Sequence, residues 1–141
     1  MIRINKHRRE SREPGDGRRI LVMRRWPRGV AKSSVDTWDP DLAPSLFLLR
    51  KFGALPIETA RNPLARLDEP NWWALMGEYL TEIAPLRAKI ASLRAETMMG
   101  GTITLLCGCH HVAMCHRRFL AMVIEGNHAA SEAVDDAPRF L

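Results

Sequence analysis

Cys107, Cys109, His110, His111, Cys115 and His116 lie within one short passage that holds all three cysteines and three of the five histidines of the chain. Thiolates and imidazoles are nucleophiles and soft metal ligands, so any chemistry this chain performs is expected here. Cys115 stands where a helix should begin. Unpaired N–H groups and the positive end of the helix dipole favour a thiolate there, which makes Cys115, with His116 beside it, the candidate catalytic pair. The competing reading is a small buried cysteine packed under the helix. Cys107 and Cys109 are two residues apart, so on a strand they share a face. Together with Cys115 and His116 they form a candidate site for a transition metal such as zinc. The order Cys-x-Cys-His-His-x-x-x-Cys-His matches none of the common structural zinc spacings. A Cys-x5-Arg phosphate loop is excluded, because Arg117 lies eight residues after Cys109 and two after Cys115.

The flanking residues position this passage. Thr102–Leu106 is an apolar run expected to form a strand, and 115–125 carries the helical stripe Phe119, Leu120, Val123, Ile124, closed by Gly126-Asn127. A second strong strand is Arg19–Met23, followed by Arg24-Arg-Trp-Pro-Arg-Gly29, where Pro27 and Gly29 end regular structure. Helical segments separate the two strands, which favours a parallel right-handed crossover. Parallel strands deliver their loops to one carboxyl edge, where open α/β sheets usually place their sites. Arg24 and Arg28 are thereby expected near Arg117, as an anion-binding set that can grip carboxylate or phosphate. Pairing of Arg24 and Arg28 with Asp36, Asp39 or Asp41 is the competing reading.

The remaining elements follow from periodicity and caps. Met1–Asn5 alternates like a short half-exposed strand, Lys6–Arg18 reads as a surface loop, and Val35–Ala43 as a connection. Ser45 can cap a helix through Phe52 that Gly53 ends, and Asp68 can cap one with Pro70 in its first turn. In that second helix Trp72, Leu75, Met76, Tyr79, Leu80 and Ile83 recur at core-facing spacing, and Pro85 interrupts it. A further helix carries Leu86, Ile90, Leu93 and Met98 to Gly100-Gly101. Core packing is expected for Trp72, and loop anchoring for Trp26 and Trp38. The fold class expected is α/β: a small, mainly parallel sheet packed with helices, Rossmann-like, in one domain over residues 1–141. Residues 127–141 read as a flexible tail.

Bulk properties agree with a globular chain. Its 141 residues suit one domain, and 46% hydrophobic with 26% charged residues argues against overall disorder. No run is long enough to span a membrane and no secretory leader is evident, so a cytoplasmic location is expected. Cysteines crowded into one passage do not resemble a disulfide framework. The net charge of +5 is uneven: residues 1–32 hold 11 Lys and Arg against 3 acidic residues. Nucleic acid is therefore a candidate partner, beside a small anionic ligand, and solvated arginines with a few in a pocket are the competing account.

Arg19-Ile-Leu-Val-Met-Arg-Arg-Trp-Pro-Arg-Gly-Val30, Trp38, Asp41-Leu-Ala-Pro-Ser45, Thr104-Leu-Leu-Cys107 and Cys115-His-Arg117, in that order, resemble the domain of unknown function 488 (DUF488) family, the YeaO-like proteins. The resemblance covers roughly residues 2–125. It implies a small cytoplasmic α/β protein and no established reaction. It departs at Met23, where the family pattern has an aspartate, so an acid role at that position is absent here. Enzyme, metal or thiol redox module, and nucleic-acid binder all stay open on the sequence.

Overall fold

The computed structural model describes residues 1–51, 69–109 and 112–126. Four strands form one parallel sheet: β1 (Ile2–Arg3), β2 (Arg18–Leu21), β3 (Thr37–Trp38) and β4 (Ile103–Leu106), in the order β1-β4-β2-β3. The register sets Ile2 beside Ile103 and Leu21 beside Leu106. Among the described residues the α-helices are α1 (Leu46–Lys51), α2 (Glu69–Ile83), α3 (Arg87–Met98) and α4 (His116–Glu125). An α/β fold with a small parallel sheet is thus what the chain adopts.

Strand alternation explains how the sheet is covered. Ile20, Val22, Ile103, Leu105 and Cys107 join one buried cluster with Trp72, Tyr79, Ile90, Phe119 and Leu120. Each large apolar side chain buried in that way stabilises the fold by roughly 1.5–3 kcal/mol. In α2 the stripe is as the spacing predicts, with Trp72, Leu75, Met76, Tyr79 and Ile83 buried and Leu80 partly so. A short 3-10 turn, Ala84–Leu86, stands at Pro85, and Ile90 and Leu93 of α3 complete the face. Met98 is exposed instead of joining them, because α3 ends there one turn past the sheet-facing stripe. Ser45 Oγ accepts the Leu48 N–H as the expected cap of α1. Gly126 ends α4 in the left-handed conformation, and the Arg94 guanidinium donates to the Val123 and Ile124 carbonyls. Gly53, Asp68 and the 127–141 tail lie outside the described residues.

The opposite sheet face carries the largest departure from expectation. Lys6–Arg18 is no simple surface loop, since Lys6 and Asp16 within it are buried. The Asp16 carboxylate receives Arg19 Nη1 at 2.7 Å, Lys6 Nζ at 3.1 Å and Arg3 Nη1 at 3.1 Å. It also caps the Glu13 N–H, while the Asp16 carbonyl accepts the Thr104 hydroxyl at 2.7 Å. Arg19 and Thr104 are register partners on β2 and β4, so this polar plug covers the sheet where a second helical layer would otherwise lie. Burial raises the Asp16 carboxyl, yet the bonds from the Glu13 N–H, Arg19 and Lys6 outweigh it and hold the group down at about 2. The connection Val35–Ala43 also holds a strand that periodicity misses: β3 is two residues long, and Asp36 and Asp39 donate backbone N–H groups to β2 carbonyls.

The turn into β2 depends on Gly17, whose φ of 63° is left-handed and whose Cβ position is occupied by the Thr102 carbonyl. Gly17→Ala is expected to lose more than the roughly 1–2 kcal/mol that a left-handed L-residue costs, because the contact is with backbone. A urea denaturation series checks this, and an unchanged midpoint would contradict it.

Candidate functional site

The cysteine cluster lies at the carboxyl edge, where β4 runs into α4. Cys107 continues β4 toward the helix-covered face, and Cys109 follows two residues later on the same side. Cys115 is the N-cap of α4, in extended conformation, so the chain returns there to the end of the strand. The three Sγ atoms all lie within 4.8 Å of one another. Cys107 and Cys115 are buried, and Cys109 is half-buried.

Two neighbours hold Cys115. Arg117, itself fully buried, donates Nε to Cys115 Sγ at 3.3 Å, Nη2 to the Cys109 carbonyl at 2.8 Å, and Nη1 to the Lys6 carbonyl. His116 places Nδ1 3.7 Å from Cys115 Sγ and Nε2 2.9 Å from the Val22 carbonyl, with Tyr79 edge-on against its ring. A carbonyl accepts only, so Nε2 carries a proton. His116 stands outside the group of mutually close ligand atoms and acts on Cys115 from the side.

These contacts divide the three thiols. Burial opposes ionisation of Cys115, but hydrogen bonds from Cys107 and Cys109 and the charge of His116 bring it well below the ordinary thiol range. The hydrogen bond with Cys109 pulls Cys107 down, while the one to Cys115 and burial outweigh it and push Cys107 up to about 12. Cys109 is raised by its bonds to Cys107 and Cys115 and by burial. Of the three thiols, Cys115 is thus the one whose surroundings favour the thiolate, and its sulfur faces the Arg117 guanidinium.

A pocket of about 340 Å³ opens beside the cluster, lined by Asn5, His7, Glu10, Cys109, Val112 and Arg117. Its walls come from the loops after β1 and β4, which are neighbouring strands, and from the first turn of α4. The His7 backbone N–H donates to Glu10 Oε2 at 2.6 Å, His7 Nε2 is 3.1 Å from the Gly108 carbonyl, and the Arg8 N–H donates to the Cys107 carbonyl. Asn5, His7 and Glu10 were not anticipated from sequence. The alternating Met1–Asn5 strand was the available signal, but nothing local states that this strand pairs with β4.

The loop after β2 carries Arg24 and Arg28, the other two residues of the anion-binding expectation. Arg24 Nη2 donates to the Ala43 carbonyl at 2.7 Å, and Arg28 is exposed. Of Arg24, Arg28 and Arg117, it is Arg117 that lines the pocket. Trp26 and Trp38 pack edge-on and donate to the Val30 and Met23 carbonyls, anchoring that loop. Five of the eleven Lys and Arg of the amino-terminal quarter are paired internally: Arg3, Lys6 and Arg19 meet Asp16, Arg12 meets Asp36, and Arg18 meets Glu96. His110 and His111 lie outside the described residues. Among the described residues, no helix is long and apolar enough to cross a membrane.

The profile of the family described as "Active DUF488-N3 subclade" matches residues 2–128. The chain belongs to the DUF488 family. It is 32% identical over 119 residues to the uncharacterized protein Rv3073c of Mycobacterium tuberculosis, covering 83% of this chain and 88% of that one. The uncharacterized protein Mb3100c of Mycobacterium bovis matches to the same extent. The uncharacterized protein YeaO of Escherichia coli is 48% identical over 74 residues, 51% of this chain and 64% of its own length. No solved structure matches the chain. This DUF488 member thus carries the resemblance read from its Trp-Pro-Arg-Gly and Leu-Ala-Pro-Ser segments.

Proposed function

We propose that this DUF488 protein binds a soft divalent metal ion such as zinc through Cys107, Cys109 and Cys115. The observation that carries the reading is the convergence of three Sγ atoms within 4.8 Å of one another. Zn–S bonds of about 2.3 Å at tetrahedral angles put sulfurs roughly 3.8 Å apart, so the cluster needs only a small contraction to close on an ion. A disulfide would need two of the sulfurs to approach to about 2.05 Å, a larger displacement in a buried cluster. Charge favours the metal as well: three thiolates and a dication sum to −1, and buried Arg117 offsets it. Reduced thiols suit a cytoplasmic location.

A small-molecule enzyme using this centre is the finer form of the reading. The pocket beside Cys109 and the description of the matched subclade as active support it. Anion binding at the same pocket draws on Arg117, with Arg24 and Arg28 farther along the carboxyl edge. Cys115 and His116 as a reactive pair draw on the lowered Cys115 thiol and on the 3.7 Å approach of His116 Nδ1.

Protein purified without chelator is expected to hold about one zinc per chain by elemental analysis, as a three-thiolate site predicts. Cys107→Ser and Cys115→Ser are expected to lose it, while a substitution at an exposed position away from the cluster, such as Met99→Ser, leaves it unchanged. Metal-free protein with three freely titratable thiols would count against the reading.

A further inference from the structure

We infer that the pocket formed by the loops after β1 and β4 is the entry to an open fourth coordination position, where a small monodentate ligand, water at rest, completes the metal. The inference rests on the three-cysteine reading above and names what that site would take. Among the described residues three ligands gather, which leaves one tetrahedral position, the arrangement of reactive zinc sites as opposed to structural ones. The pocket fixes the direction of approach. Cys107 and Cys115 are buried, whereas Cys109 is half-buried and lines the pocket, so the cluster meets the outside at Cys109.

The size and lining of the pocket define the class of ligand. About 340 Å³ is the space of roughly ten waters at ~30 Å³ each, enough for a bound donor atom carrying a few further heavy atoms. With Arg117 offsetting the three-thiolate ion, a neutral protic donor keeps the buried centre uncharged. The polar side chains of Asn5 and Glu10 stand in the same wall and can accept the proton-bearing side of that donor. Val112 contributes the apolar part of the lining, next to Arg117. His7 is committed elsewhere: Nε2 faces the Gly108 carbonyl and Nδ1 receives the Arg9 N–H, so its ring holds the two loops together.

Cobalt(II) reports both levels of the reading in the full chain. Anaerobic loading is expected to give thiolate-to-cobalt charge-transfer absorption, and added imidazole, a neutral monodentate donor with an N–H, is expected to shift the visible d–d bands saturably. Val112→Trp, which fills the pocket, is expected to weaken the imidazole response by at least about tenfold while the charge-transfer intensity is kept. Charge-transfer bands with no imidazole response in the unaltered protein would overturn the open position and leave the three-cysteine site standing. A response gained only after His110→Ala or His111→Ala would overturn it too, because the chain would then supply the fourth ligand. Absence of charge-transfer absorption would overturn both readings at once.

Discussion

Asp16→Asn is expected to lower unfolding stability by about 3–5 kcal/mol, the usual loss when one partner of a buried ion pair is removed. The substitution is nearly isosteric, so the loss measures charge and not volume. Arg19 is fully buried and Lys6 nearly so, and both would keep their positive charges opposite a neutral amide. Arg3 is about a third exposed and can turn to water, which limits its share. Urea denaturation followed by tryptophan fluorescence checks the value. In a double-mutant cycle with Arg19→Met, the combined variant is expected to lose less than the sum of the single losses. Strict additivity would show that Asp16 and Arg19 do not depend on one another.

The same cluster sets an acid limit. The Asp16 carboxyl lies at about 2 in the folded chain against an ordinary 3.8. A depressed folded value means that the contribution is complete above the unfolded value, near pH 4, and is lost as the pH falls through about 2. The stability gap between the wild type and Asp16→Asn is therefore expected to narrow across that window. A gap constant from pH 6 to pH 2 would contradict the assignment.

Arg117→Met is expected to cost a similar amount, about 3–5 kcal/mol in metal-free, reduced protein, because three acceptors lose their buried donor. It leaves the Cys115 sulfur without its cationic neighbour and the Lys6 and Cys109 carbonyls without their donor. Buried acceptors left unpaired cost roughly 1–3 kcal/mol each. Arg117→Lys is the informative companion. An ammonium keeps the charge but cannot present a planar fork to three acceptors at once, so it is expected to recover less than half of the loss. Stability within about 1 kcal/mol of the wild type would show that charge alone is needed there.

Local signals were well legible in this chain. The α2 stripe from Trp72 to Ile83, the Ser45 cap, the bend at Pro85 and the Gly126 stop all act within a few residues, where periodicity and cap chemistry operate. The cysteine pair was legible for the same reason, since two residues along a strand return the side chain to one face. β3 was missed because two residues between aspartates carry no alternation to read. The Lys6–Arg18 loop is on the surface for most of its length, as its polar composition indicates, but the burial of Lys6 and Asp16 was not legible, because the partners of Asp16 come from three separate positions.

By itself, then, the sequence determined most of the elements, the parallel α/β class and the grouping of the soft ligands in the passage 107–116. Strand and helix preferences are short-range, and soft ligands are recognisable by type. Tertiary structure alone decided which loop faces that passage. The sheet order β1-β4-β2-β3 seats the amino-terminal strand beside β4, so Asn5, His7 and Glu10 line the pocket. Pairing across a hundred residues is settled by which strands bury one another, and no local pattern records it.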